Sequence, residues 1–195
     1  MYIIIFILGI TIGSFLNVCI CRIPLRESIA FPPSHCPACG TPLKWYDLVP
    51  ILSYICLRGR CRYCKGKISQ QYPMIEFSNG LIYVLLFYHL GLSADFLFFC
   101  IISSILIVIS VVDYYYQMIP DPLVLLIFFA AFLYKLVLKN VYSIPLNLID
   151  SVAGLLGAGL LFILIAVASN GGMGGGDIKL IAVLGFILGW KRTVL

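Results

Sequence analysis

Two groups of residues in this chain have types and spacings suited to chemistry. The first is a pair of carboxylates, Asp113 and Asp177. The chain has only eight acidic residues among 195, and these two stand at the ends of strongly apolar runs, where charge is expensive and usually functional. Asp113 closes the run Ile-Leu-Ile-Val-Ile-Ser-Val-Val, and Asp177 opens another behind the string Gly171-Gly172-Met173-Gly174-Gly175-Gly176. Two carboxylates held within a few ångströms share one proton. One can then activate a water while the other protonates a scissile carbonyl, which hydrolyses a peptide bond without a metal or covalent intermediate. The glycines Gly174, Gly175 and Gly176 would let an extended peptide lie close to the backbone beside Asp177. The same glycines also fit a plain interhelical linker.

The second group is Cys36-Pro-Ala-Cys39 with Cys61-Arg-Tyr-Cys64. Two C-x-x-C pairs at this separation match a tetrahedral zinc site. Four thiolates leave no open position, so the expected Zn2+ is structural, with redox dithiols or an iron–sulfur site as rival readings. His35 adjoins the cluster, but a fifth ligand is unnecessary. Cys19, Cys21, Cys56 and Cys100 show no paired spacing and read as small apolar residues.

The elements that must position these groups follow from composition. The chain is 62% hydrophobic and 11% charged, whereas soluble domains run near 45–50% and about 25%. An integral membrane protein is expected. Apolar runs fall at 1–20, 74–92, 96–112, 122–138, 148–168 and 178–190, which gives an all-α transmembrane bundle of about six spans. The first run lacks a basic n-region and a cleavage site, so it reads as a permanent helix rather than a signal peptide. The expected organisation is a first transmembrane helix over 1–20, a cytoplasmic four-cysteine domain over 21–73, and a catalytic transmembrane bundle over 74–195. The inserted domain is too small to build much of a core, and a metal would supply folding energy.

Eight of the thirteen basic residues lie between Arg22 and Lys67. In a membrane chain this cluster marks a cytoplasmic loop rather than a nucleic-acid surface. Counting spans from it puts the connections after Asp113 and before Asp177 on the same, cytoplasmic, side. Lys135, Lys139, Lys191 and Arg192 then fall outside. Asp121, followed by Pro122, reads as the N-cap of the fourth span. Asp177 also fits a cap as an isolated pattern, whereas Asp113 follows its helix, where a cap does not explain it. A proton-relay transporter would carry its acids nearer mid-span. Lys179, two positions beyond Asp177, points elsewhere on a helix. Glu76 sits where it would favour a helix dipole, Asn17 is placed for an interhelical hydrogen bond, and Gly9 and Gly13 for close packing.

With these residues in place, the sequence closely resembles the bacterial type IV prepilin leader peptidases, a GxGD-type family of membrane aspartyl proteases. The likeness runs through Gly13-Ser-Phe-Leu-Asn17 with Arg22-Ile-Pro24, both cysteine pairs, Trp45-Tyr-Asp47, Pro50-Ile-Leu-Ser53, Leu57-Arg-Gly-Arg-Cys61 and Tyr72-Pro73-Met-Ile-Glu76. Its most specific parts are Asp113 with Ile119-Pro120-Asp121, and Gly174-Gly-Gly176-Asp177-Ile-Lys179.

The resemblance implies that Asp113 and Asp177 are catalytic. It implies a type IV prepilin or pseudopilin substrate, cut after a glycine at the cytoplasmic face of the bacterial inner membrane. Many members also methylate the new N-terminus with S-adenosylmethionine, a step linked to the cytoplasmic domain. Family members usually continue into further hydrophobic segments, whereas this chain stops at Leu195. The alternatives are a truncated, inactive peptidase and a non-catalytic zinc-binding scaffold of a pilus or secretion assembly.

Overall fold

The computed structural model describes residues 1–143, 147–169 and 172–193. The described residues form helices and turns, with no strand beyond two isolated β-bridges. The order is α1 (Tyr2–Arg22), a 3-10 turn (Trp45–Asp47), α2 (Leu52–Cys56), α3 (Gln71–Leu90), α4 (Ala94–Tyr116), α5 (Asp121–Tyr142), α6 (Leu148–Ala168), α7 (Gly175–Leu188) and α8 (Trp190–Thr193). Each of the six apolar runs in the sequence lies largely within one helix.

Four of these, α1, α4, α5 and α6, are long and apolar enough to cross a membrane by themselves. The other two fall short of the six spans expected, for different reasons. α3 carries Glu76, Asn79 and His89 in its 20 residues, and α7 has only 14. At 1.5 Å per residue α7 is roughly 21 Å long, well under a ~30 Å hydrocarbon core.

The chain divides into two compact units, 1–111 and 112–195. In the first, α1 packs against α3 through a seam of small residues. A Cβ placed on Gly9 would come 2.7 Å from Gly80 Cα, and one on Gly13 would come 2.7 Å from Glu76 Cα. Such seams bring helix backbones close enough for dispersion to hold them where lipid removes any hydrophobic drive. Asn17 donates to the Tyr72 carbonyl at 3.1 Å, and Asn79 donates to the Gly9 carbonyl at 2.7 Å. The register is 9 with 80, 13 with 76 and 17 with 72, so α1 and α3 are antiparallel.

A polar chain extends this seam to α4. The Ser104 hydroxyl donates to Asn79 Oδ1 at 3.0 Å and lies 3.0 Å from the Tyr83 hydroxyl. All three side chains are buried, and satisfying them internally is what permits polar groups at that depth. Ser93, just before α4, caps it by accepting the Phe96 N–H.

In the second unit, α7 is seated by two neighbours. Against α6, Gly154 and Gly185 meet backbone to backbone, and Gly157 leaves room for the Trp190 ring. Against α5, the Phe128 and Phe186 rings lie 5.0 Å apart, and Lys135 Nζ sits 5.5 Å over the Phe186 ring. Asn147 caps α6 by accepting the Asp150 N–H.

Candidate functional site

Residues 23–70 fold around two knuckles that repeat one backbone design. In the first, Cys36 N–H bonds the Thr41 carbonyl and Gly40 N–H bonds the Cys36 carbonyl; in the second, Cys61 N–H bonds Gly66 and Lys65 N–H bonds Cys61. The turn needs a left-handed residue four positions after the first cysteine, filled by Gly40 (φ 67°) and by Lys65 (φ 60°). Only the first knuckle uses the residue that adopts this conformation without penalty.

The result brings the four sulfurs of Cys36, Cys39, Cys61 and Cys64 within 4.8 Å of one another. A tetrahedral Zn2+ with Zn–S near 2.3 Å requires sulfurs about 3.8 Å apart, and Cys36 Sγ lies 3.9 Å from Cys64 Sγ. The group can therefore hold a metal ion. The Thr41 hydroxyl beside Cys39 holds that thiol down to about 6. At Cys64 the Gly66 N–H works to lower the thiol, yet burial and the other three sulfurs push it up to about 11. His35 is outside this set, its Nδ1 lying 3.2 Å from the Pro33 carbonyl.

The insert is fastened to the helices by polar contacts. Arg22, the last residue of α1, donates to the carbonyls of Ser28 and Pro32. Glu76 is buried and accepts the Ile51 N–H at 2.8 Å. Ile51 sits at φ 61°, in a tight turn where Leu52 N–H reaches Pro50, a conformation that strains a β-branched residue. Glu76 thus anchors a strained turn of the insert rather than merely favouring a helix dipole. Within the insert Arg62 Nε lies 2.6 Å from Asp47 Oδ1, and the Tyr63 hydroxyl donates to Asp47 Oδ2 at 3.1 Å. Burial works to raise the Asp47 carboxyl, but these bonds and the Lys44 N–H outweigh it and hold it below the usual carboxylate range.

The two aspartates lie in the second unit. α4 continues one turn beyond the expected end of its apolar run, so Asp113 stands inside its last turn rather than after it. The helix stops at Gln117, which adopts a left-handed φ of 51° and returns its N–H to the Asp113 carbonyl. α7 starts at Gly175 with Gly174 as its N-cap, which makes Asp177 the third helical residue rather than the cap. Its carboxylate folds back towards the N-cap, 3.1 Å from where a Cβ on Gly174 would stand.

Asp113 and Asp177 line one cavity of about 230 Å³, together with Gln117, Met118, Ile119, Asp121, Gly174, Gly175 and Gly176. The glycines differ in purpose. A Cβ on Gly176 would stand 2.8 Å from Ile119 Cβ, whereas one on Gly175 would meet nothing within 4 Å. Gly171, the first of the string, lies outside the described residues.

Asp121 differs from its expected role. Pro120 is the N-cap of α5, and Asp121 lies in the first turn with its carboxylate 2.8 Å from Lys179 Nζ. Sequence reasoning placed Lys179 away from Asp177 and did not find this partner, because a contact between residues 58 positions apart leaves no periodic signal.

The model of the bacterial peptidase A24 N-terminal domain matches residues 7–90, and that of the type IV leader peptidase family matches residues 100–195. A protein of Bacillus subtilis (strain 168) named prepilin leader peptidase/N-methyltransferase is 41% identical over 191 residues, 96% of this chain and 74% of the relative. One of the same name from Klebsiella pneumoniae is 33% identical over 195 residues, 95% of this chain and 84% of the relative. A third, from Myxococcus xanthus (strain DK1622), is 32% identical over 197 residues, 97% of this chain and 56% of the relative. No solved structure matches the chain.

Proposed function

Since the chain belongs to the type IV leader peptidase family, we propose that it is an aspartyl endopeptidase of the membrane, removing the leader from type IV prepilins or pseudopilins with Asp113 and Asp177 as its acid and base. The observation that carries this reading is the cavity lined by both carboxylates and the glycine turn. One carboxylate removes a proton from water as that water attacks the scissile carbonyl, and the other, holding the shared proton, donates it to the carbonyl oxygen. The turn Gly174-Gly175-Gly176 gives the substrate backbone room beside Asp177. The apolar helix of the substrate docks against the bundle from the lipid, and its leader stays on the polar side.

The excess of basic residues between Arg22 and Lys67 supports a cytoplasmic insert and an active site facing the cytoplasm, in the bacterial inner membrane. Cys36, Cys39, Cys61 and Cys64 would hold Zn2+, which supplies folding energy to the insert and takes no part in hydrolysis. N-methylation of the new N-terminus with S-adenosylmethionine rests on the names of the relatives.

The test is cleavage of a purified prepilin by the reconstituted 195-residue chain beside its Asp113→Asn and Asp177→Asn variants. Wild type should cut, and each variant should lose at least 10²-fold in rate, the usual worth of one acid–base group. Mass spectrometry of the product, with and without S-adenosylmethionine, reads the methyl group separately. Full activity in either variant overturns the assignment.

A further inference from the structure

Residues 23–70 leave and rejoin the antiparallel pair α1/α3 at one end, because Arg22 ends the first helix and Gln71 starts the second. α1 is long and apolar enough to span, so its polar end stands at headgroup level. The insert is thereby tethered at the bilayer surface through both of its ends.

Its composition suits that position. It carries seven basic and two acidic side chains, and Asp47 is already taken by Arg62. Arg58, Arg60 and Lys65 line a concavity of about 370 Å³ with Leu57 and Cys61. All three cations are exposed, and none forms an ion pair among the described residues. The concavity is set by backbone: Arg58, Gly59 and Lys65 all adopt left-handed φ values, and Ile68 N–H bonds the Gly59 carbonyl across the knuckle. Two residues of left-handed backbone that are not glycine carry the very side chains that surround the hollow. The same insert exposes large apolar groups, Trp45 at 79%, Phe31 at 77%, Leu52 at 62% and Ile55 at 63%. Aromatic and aliphatic side chains interleaved with lysine and arginine are the composition of a surface that rests in the headgroup layer.

We propose that the hollow formed by Arg58, Arg60 and Lys65 is a binding site for the phosphate of an anionic phospholipid headgroup, and that the insert lies on the bilayer. Guanidinium groups bind phosphate oxygens bidentately, and Lys65 adds a compact point charge. The proposal rests on membrane embedding and is independent of the peptidase reading.

The experiment uses the whole chain in bilayers containing a small fraction of spin-labelled phosphatidylglycerol or spin-labelled phosphatidylcholine, with electron spin resonance reporting the lipid held at the protein. The wild type should prefer the anionic label, and salt should weaken the preference. The triple variant R58Q/R60Q/K65Q should lose at least about fivefold of it, the worth of one basic residue near an anionic surface. A control removing the insert's other unpaired cations, R26Q/K44Q/K67Q, should retain most of the preference. Equal loss in both variants would mean diffuse charge and overturn the site. Abolition of the preference by millimolar inorganic phosphate would assign the hollow to a free anion instead and overturn the lipid. Variants are compared at equal melting temperature. Where the triple variant unfolds, Arg58→Gln and Lys65→Gln decide singly, each expected to weaken the preference about fivefold.

Discussion

Lys179 Nζ stands 2.8 Å from Asp121 Oδ1, joining the second turn of α7 to the first turn of α5, where Asp121 lines the aspartate cavity. Both side chains are more than half exposed, so the pair adds under about 1 kcal/mol to stability. It links α5 to α7, the helix that carries Asp177. Lys179→Asp and Asp121→Lys should each slow prepilin cleavage severalfold at low salt, and the double exchange should recover most of the rate. Recovery measured against the singles separates a contact between these two residues from a need for either charge alone.

Gly176 supports the cavity by having no side chain. Its missing Cβ would stand 2.8 Å from Ile119 Cβ, so Gly176→Ala should push the Ile119 turn away from α7 and cut the rate at least tenfold with the helices intact. Ile119→Ala opens the space, and the double variant should regain activity. Gly175→Ala, which meets no atom within 4 Å, should have a much smaller effect.

Metal removal tests the cysteine group. The purified chain should carry one zinc, and a chelator or Cys36→Ser should remove it and unfold the insert, seen as protease cutting between residues 23 and 70. The long helices, which have their own packing, should remain folded by circular dichroism. An insert that resists protease equally with and without metal would argue against a structural ion.

The two knuckles predict unequal tolerance. Gly40 adopts φ 67° with open space around it, so Gly40→Ala tests backbone conformation alone. It should destabilise the insert by about 1–2 kcal/mol. Chelator titration should show zinc leaving more readily.

Asp47 gives the insert a pH dependence with a definite sign. Its carboxyl is held low in the folded state, so its contribution is fully present above the ordinary carboxyl range and is lost as pH falls through the lower, folded value. The protease resistance of the insert should drop on acidification into that range. Asp47→Asn should remove this component at neutral pH and flatten the profile.

The parts legible in the sequence were those whose geometry is local. The helices follow runs of apolar residues, and each knuckle closes within six residues, so C-x-x-C spacing suffices to find the sulfurs. Asn17 and the glycines at 9 and 13 were also readable, because small and amide residues on an apolar helix have few other uses. What escaped depended on how helices turn towards each other. The Asn79–Ser104–Tyr83 chain, the Glu76 anchor on Ile51 and the Asp121–Lys179 pair each join residues at least 21 positions apart. α4 runs on through Tyr114, Tyr115 and Tyr116, one turn past the apolar residues that mark it in the sequence. Asp121 was assigned to a cap on the strength of Pro122, and the helix begins one residue sooner than that rule suggests.

The antiparallel register of α1 and α3 also bears on how such a chain could change. Because 17 faces 72, the 48 residues from 23 to 70 form a detour whose entrance and exit are neighbours. Replacing them with a turn of a few residues alters the closure entropy by only roughly 2 kcal/mol and leaves the seam of Gly9 and Gly13 untouched. The insert is therefore a removable graft. Its removal would leave the buried Glu76 carboxylate without the Ile51 N–H and the buried Arg22 guanidinium without the Ser28 and Pro32 carbonyls, so these two side chains would have to find other partners or be replaced.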